Sequence, residues 1–143
     1  MGRRNRNPQP WYTPVLLPVA VFHCRRCQAE LTRPLVLLTD VADLSDKAGT
    51  PRVPAGRYWP VGPGLDFAGQ FAVSLADVIP VFYVPDRRRL SGCCGPSGDA
   101  GPNRLCACGR EIGTEQSDCI YPHAVYLDPA RCAPVAPVAV DGA

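Results

Sequence analysis

Eight cysteines in 143 residues, four of them in two short paired motifs, constrain this chain more than any other feature. The motifs are Cys24-Arg-Arg-Cys27 and Cys106-Ala-Cys108-Gly109. In an oxidising compartment such pairs make disulfides, whereas a reducing compartment keeps them as thiols. The N-terminal stretch reads poorly as a secretory leader. Its charged start, Arg3-Arg4-Asn5-Arg6, is followed by an apolar run at Val15–Phe22, but Pro18 interrupts that run and no small-residue cleavage site precedes Cys24. We therefore expect a cytoplasmic protein, in which paired thiolates serve a metal. No stretch reaches the roughly 20 apolar residues that span a bilayer, and we expect no membrane association.

Two sulfurs separated by one or two residues can both point inward from one tight turn. Tetrahedral zinc takes four such ligands at about 2.0–2.3 Å. The first choice of ligand set is Cys24, Cys27, Cys106 and Cys108. A metal held by these residues would tie an N-terminal hairpin to a C-terminal one. The second choice draws on Cys93, Cys94 and Cys119, either in exchange for Cys106 or as a second site completed by His123 or Cys132. Adjacent cysteines diverge in extended backbone, which argues against Cys93 and Cys94 binding one ion together.

Seventeen prolines and 13 glycines remove backbone donors and break helix interiors, so the chain should be mainly β. We expect a small antiparallel β domain with zinc-knuckle hairpins, long Pro/Gly-rich loops and disordered termini. Its boundaries are set at a basic tail over 1–10, one zinc-stabilised domain over 11–132 and a flexible tail over 133–143. Trp11–Phe22 and Leu31–Thr39 read as strands flanking the first cysteine turn. Asp40–Gly69 reads as a long irregular loop with a helical turn near Asp43–Lys47. Gln70–Leu75 and Val78–Val84 read as extended, with Ser74-Leu-Ala-Asp77 spaced as a helix cap. Arg87–Arg104 is a loop, Leu105–Gly113 a second turn, and Ile120–Leu127 a further strand.

The net charge of +2 is too small to name a polyanion partner. Lys47 is the only lysine among 15 cations. Arginine's planar fork suits phosphate contacts, but a GC-rich coding bias would also enrich it. If the two cysteine turns meet, Arg25, Arg26, Arg104 and Arg110 could form a cationic patch for nucleic acid. Other chemistries have less behind them. The CxxC motif could be a dithiol switch with arginines lowering its thiol pKa, yet the βαβ setting of a thioredoxin-like motif is missing. Gln28 follows Cys27 where haem attachment requires histidine. Cys119 and His123 could form a nucleophile pair. The glycines near 92–101 lack the ending of a phosphate-binding loop.

The turns Cys24-Arg-Arg-Cys27 and Cys106-Ala-Cys108-Gly109 resemble the knuckles of zinc-ribbon and β-tent proteins. That resemblance implies two hairpin tips clamping one Zn2+. Cys106-x-Cys108-Gly109 is similar to the opening motif of glutathione-dependent formaldehyde-activating enzymes, although here the CxxC precedes it. Methionine sulfoxide reductases of β-tent type share the combination of zinc and a reactive cysteine. The stretch from Gly92-Cys-Cys-Gly95 to Cys119 resembles small cysteine-rich bacterial proteins. Together these features point to a non-enzymatic zinc-binding protein whose structural four-cysteine site supports a protein- or nucleic-acid-binding module. The alternative is a thiol-dependent redox or β-tent type enzyme using a reactive cysteine.

Overall fold

A computed structural model describes residues 16–80 and 82–138. Nine short strands form one mixed sheet, and the only helical pieces among the described residues are single 3-10 turns. The strands are β1 (Val19–Cys24), β2 (Leu35–Leu37), β3 (Arg57–Pro60), β4 (Phe71–Val73), β5 (Phe82–Tyr83), β6 (Arg104–Leu105), β7 (Glu111–Gln116), β8 (Ala124–Leu127) and β9 (Cys132–Val135). Their order across the sheet is β5-β6-β7-β8-β4-β3-β2-β1-β9. The chain is thus mainly β, as its proline and glycine content requires. All pairings are antiparallel except β2 with β3.

Alternation along the strands divides the apolar residues between two faces. Tyr58, Val73 and Val125 lie in register on one face, and Trp59, Ala72 and Tyr126 on the other. The first face belongs to the larger core. There Ala20, Phe22 and Cys24 of β1 pack in one cluster with Ile112 of β7, Leu127 of β8, Cys106 and Cys132. Phe22 meets Tyr58 edge-on, with ring centroids 5.2 Å apart. β9 at one end of the sheet order and β7, third from the other end, share this core, so the sheet curls upon itself. The Cys132 thiol helps close it by donating to the Ile112 carbonyl at 3.2 Å. A smaller core forms on the second face around Leu38, Val53, Val61 and Tyr126.

The β1–β2 hairpin carries the first cysteine turn at its tip, as expected. Val19 pairs with Val36, a bridge joins His23 to Glu30, and Cys24 N–H donates to the Ala29 carbonyl. Residues 11–15 of the expected first strand lie outside the described residues, as do the 1–10 tail and 139–143. The region expected to be a loop over Asp40–Gly69 contains β3. Its four residues, which follow a glycine turn and end in a proline, offer no periodicity; they form a strand by pairing with β2 on one side and β4 on the other. The helical turn falls at Val41–Asp43, where Asp40 caps Ala42 N–H. Ser74 caps a single turn over Leu75–Asp77 in the same way.

Three boundaries move. The second cysteine turn is shorter than Leu105–Gly113, because β7 begins at Glu111. β8 starts at Ala124, since Asp118–Tyr121 closes a turn through the Tyr121 N–H to Asp118 carbonyl bond. The expected flexible tail begins too early, at 133: Ala133, Pro134 and Val135 pair with His23, Phe22 and Val21. Pro134 sits on the sheet's edge strand, where a missing donor is tolerated. No helix of the described residues is long and apolar enough to cross a membrane.

Candidate metal centre

Two tight turns build the site. After β1, Gln28 N–H closes onto the Cys24 carbonyl at 2.9 Å, with Gln28 itself at φ 68°. After β6, Cys106 N–H donates to the Arg110 carbonyl and Gly109 N–H to the Cys106 carbonyl. Gly109 takes φ 91°, a conformation that glycine adopts without a Cβ clash. Each turn places one cysteine in the core and one at the surface. Cys24 and Cys106 are buried, whereas Cys27 and Cys108 are exposed.

The buried sulfur of each hairpin faces the exposed sulfur of the other. Cys24 Sγ lies 3.8 Å from Cys108 Sγ, and Cys27 Sγ lies 3.5 Å from Cys106 Sγ. All four sulfurs lie within 4.8 Å of one another. This group could hold a metal ion, and it unites all four residues of the first-choice ligand set. Arg26 N–H points at Cys24 Sγ from 3.4 Å. Burial pushes the Cys24 thiol up. Hydrogen bonds from the Cys27 and Arg26 backbone and from the Cys108 and Cys27 side chains outweigh it, bringing the thiol down to about 7. Cys106 goes the other way, to about 12, through burial and proton sharing with Cys27, Cys108 and Cys24. Of these two buried thiols, Cys24 ionises before Cys106.

The second-choice residues also converge. Cys93, Cys94 and Cys119 form a three-sulfur group within 4.8 Å, all of it exposed. The expected divergence of adjacent cysteines is corrected here, because Gly92–Gly95 is a turn and not extended chain. Neither proposed fourth ligand joins them. Cys132 is buried beside Cys24 in the β1–β9 ladder. His123 Nε2 is 3.2 Å from the Asp118 carbonyl, and His123 belongs to neither sulfur group. The sequence reading passed over Asp118, whose carboxylate organises this second group. Its only signal was its place before Cys119.

The cationic patch is smaller than expected. Arg25 and Arg26 are exposed, with Arg25 Nε donating to the Pro129 carbonyl, whereas Arg110 is half-buried with its Nε shielded from solvent. Arg104 must be removed from the set. It is 2% exposed and bonds Glu115 at 2.7 Å and the Pro80 carbonyl at 2.7 Å, with its guanidinium over the Tyr83 ring. Sequence reasoning placed it by its position next to the cysteine turn. Strand alternation instead points Arg104 toward Glu115. Arg88 and Arg89, part of a further run of arginines, are drawn to Asp86, and Arg89 also reaches Glu111 at 2.7 Å.

A cavity of about 250 Å3 on the second face was not foreseen. Trp59, Phe67, Tyr126 and Arg52 line it. Phe67 stacks on Tyr126 with centroids 4.1 Å apart and Arg52 covers Trp59. Phe67 sits at φ 64°, an uncommon backbone conformation for a bulky residue.

No family model matches this chain, and neither a curated protein nor a solved structure matches it. The class that the fold and site define is a curled β domain with two cysteine turns that could hold a metal ion between them.

Proposed function

We propose that this chain is a zinc-binding module in which Cys24, Cys27, Cys106 and Cys108 hold one structural Zn2+. The joined hairpins then present a surface to a protein or nucleic-acid partner. The observation that carries this reading is the meeting of sulfurs 84 residues apart, Cys24 and Cys108, at 3.8 Å. A Zn–S distance of about 2.3 Å gives a tetrahedron with edges of about 3.8 Å. The two cross-hairpin spacings of 3.5 and 3.8 Å suit that figure. Four protein ligands close the coordination sphere, which is the arrangement of structural sites and leaves no position for substrate.

The exposed Arg25 and Arg26 favour a phosphate-bearing partner over an apolar one. Elemental analysis of the purified, reduced protein tests the metal. It should show zinc, with one ion fewer per chain in Cys24→Ser. A compact chain free of any transition metal would refute the reading. The partner is tested by titrating single-stranded and duplex nucleic acid at several salt concentrations. Affinity should fall with salt and weaken in the Arg25→Ala/Arg26→Ala double variant.

A second reading, a thiol-dependent redox or β-tent type enzyme, has one observation in its favour: the Cys24 thiol brought down to about 7. Such a thiolate is a nucleophile when free and a ligand when bound. Alkylation of the metal-loaded protein near neutral pH separates the two readings. A fast reaction at Cys24 supports the enzyme, and protection supports the module.

A further inference from the structure

Cys93, Cys94 and Cys119 are held together by more than proximity. A Cβ on Gly92 would stand 1.8 Å from the Gly95 carbonyl oxygen, and one on Gly95 would stand 2.9 Å from Ser117 Oγ. The Gly92-Cys93-Cys94-Gly95 turn therefore closes on itself and against the chain leading to Cys119. A side chain at Gly92 would collide with backbone, and one at Gly95 would crowd Ser117. The Asp118 carboxylate, 4% exposed as a residue, then fastens all three cysteines by their backbones. Oδ2 accepts from Cys93 N–H at 3.2 Å, and Oδ1 accepts from Cys94 N–H at 3.1 Å and from Cys119 N–H at 2.7 Å. Ser117 and Asp118 N–H groups both donate to the Pro96 carbonyl, tying the two segments together again.

This is a pre-organised frame, in which three backbone N–H groups converge on one carboxylate. The three sulfurs face one another at the surface, and no fourth cysteine, histidine or carboxylate among the described residues joins the group. We propose that Cys93, Cys94 and Cys119 form a second metal site, which takes a zinc-class d10 cation through three thiolates and leaves its fourth position to an exogenous ligand. Thiolates favour soft and borderline ions over magnesium or calcium. Binding releases the three thiol protons to solvent, and Zn2+ with three thiolates carries one net negative charge. Three protein ligands with an open position are the arrangement through which a metal takes an outside ligand. All three cysteines are exposed and supply only three ligands, so the ion is open to exchange with a chelator. This inference stands apart from the four-cysteine reading and does not rest on it.

The test uses the full chain, kept reduced and anaerobic with a phosphine reductant, and Zn2+ as the probe. Wild type should bind two zinc ions, one of them taken quickly by a colorimetric chelator. Cys119→Ser and Cys94→Ser, both at exposed positions, should lose the fast ion and keep the slow one, which also reports that they fold. Gly92→Ala keeps every sulfur and should lose the fast ion too. With Co2+ in place of zinc, added 2-mercaptoethanol should shift the absorption of wild type and leave that of Cys119→Ser unchanged. Equal zinc content in wild type and Cys119→Ser would overturn the proposal, as would a disulfide among the three thiols that persists under the phosphine. One ion in wild type and none in Cys119→Ser would support this site and reject the four-cysteine one.

Discussion

Replacing Cys108 by serine exchanges one exposed sulfur for oxygen. Its side chain makes its close contact with the Cys24 sulfur at 3.8 Å, on the open side of the β6–β7 turn. Without a metal such a surface change shifts stability by no more than about 0.5 kcal/mol. With zinc between the hairpins the figure is different. An ion present at about 1,000 times its Kd adds about 4.1 kcal/mol to folding. Losing even a supporting partner of a metal ligand weakens binding roughly 10–100-fold, so losing a ligand should cost at least the upper end of that range. At about 1.4 kcal/mol per tenfold, the variant forfeits about 3 kcal/mol or more under zinc-saturated conditions. The assay is urea unfolding of both proteins, each carrying Cys119→Ser so that only the hairpin site is read, at a series of buffered free-zinc concentrations. Wild-type stability should climb by about 1.4 kcal/mol per tenfold increase in free zinc, and the variant's climb should begin at concentrations at least about 100-fold higher. Two curves that coincide, or a wild-type curve that is flat in zinc, would refute the argument.

Other perturbations have equally definite outcomes. Cys132→Ala removes a buried thiol that donates to Ile112, and calorimetry should show a loss of about 1–3 kcal/mol, with zinc content unchanged. Arg104→Ala strips the nearly fully buried Glu115 carboxylate of its guanidinium and leaves it only the Tyr83 and Ser117 hydroxyls, and should cost about 3–5 kcal/mol by denaturant unfolding. Gly113→Ala drives a Cβ to 2.2 Å from the Tyr126 carbonyl and must push β7 from β8, so hydrogen exchange in both strands should accelerate. Zinc affinity should rise from about pH 6 to about pH 8, because fewer thiol protons remain to be displaced at the higher pH. Competition with a chelator of known pH dependence measures that slope, and a flat profile would contradict thiolate ligation.

The cysteine turns were legible because the constraint on them is local. A CxxC or CxC pair sets the curvature of its own few residues, and the hairpins around 24–27 and 106–108 form where that curvature indicates. Proline and glycine counts likewise excluded helices, since each proline removes a donor wherever it stands. The four-residue strand β3 was not legible, because Arg57–Pro60 owes its pairing to β2 and β4 on either side. The role of Arg104 was hidden for a similar reason: its partner Glu115 lies on the neighbouring strand, and only the register makes them meet.

By itself the sequence determined the chemistry on offer: thiols in pairs, a chain unable to form long helices, and arginines in place of lysines. Tertiary structure alone decided which thiols meet. A sheet that curls until its distant strands share one core brings Cys24 to Cys108 across 84 residues. A turn closed by two glycines and one carboxylate brings Cys93 and Cys94 to Cys119. Spacing along a chain sets what neighbours can do, whereas distances between remote residues follow from how the whole apolar surface is buried.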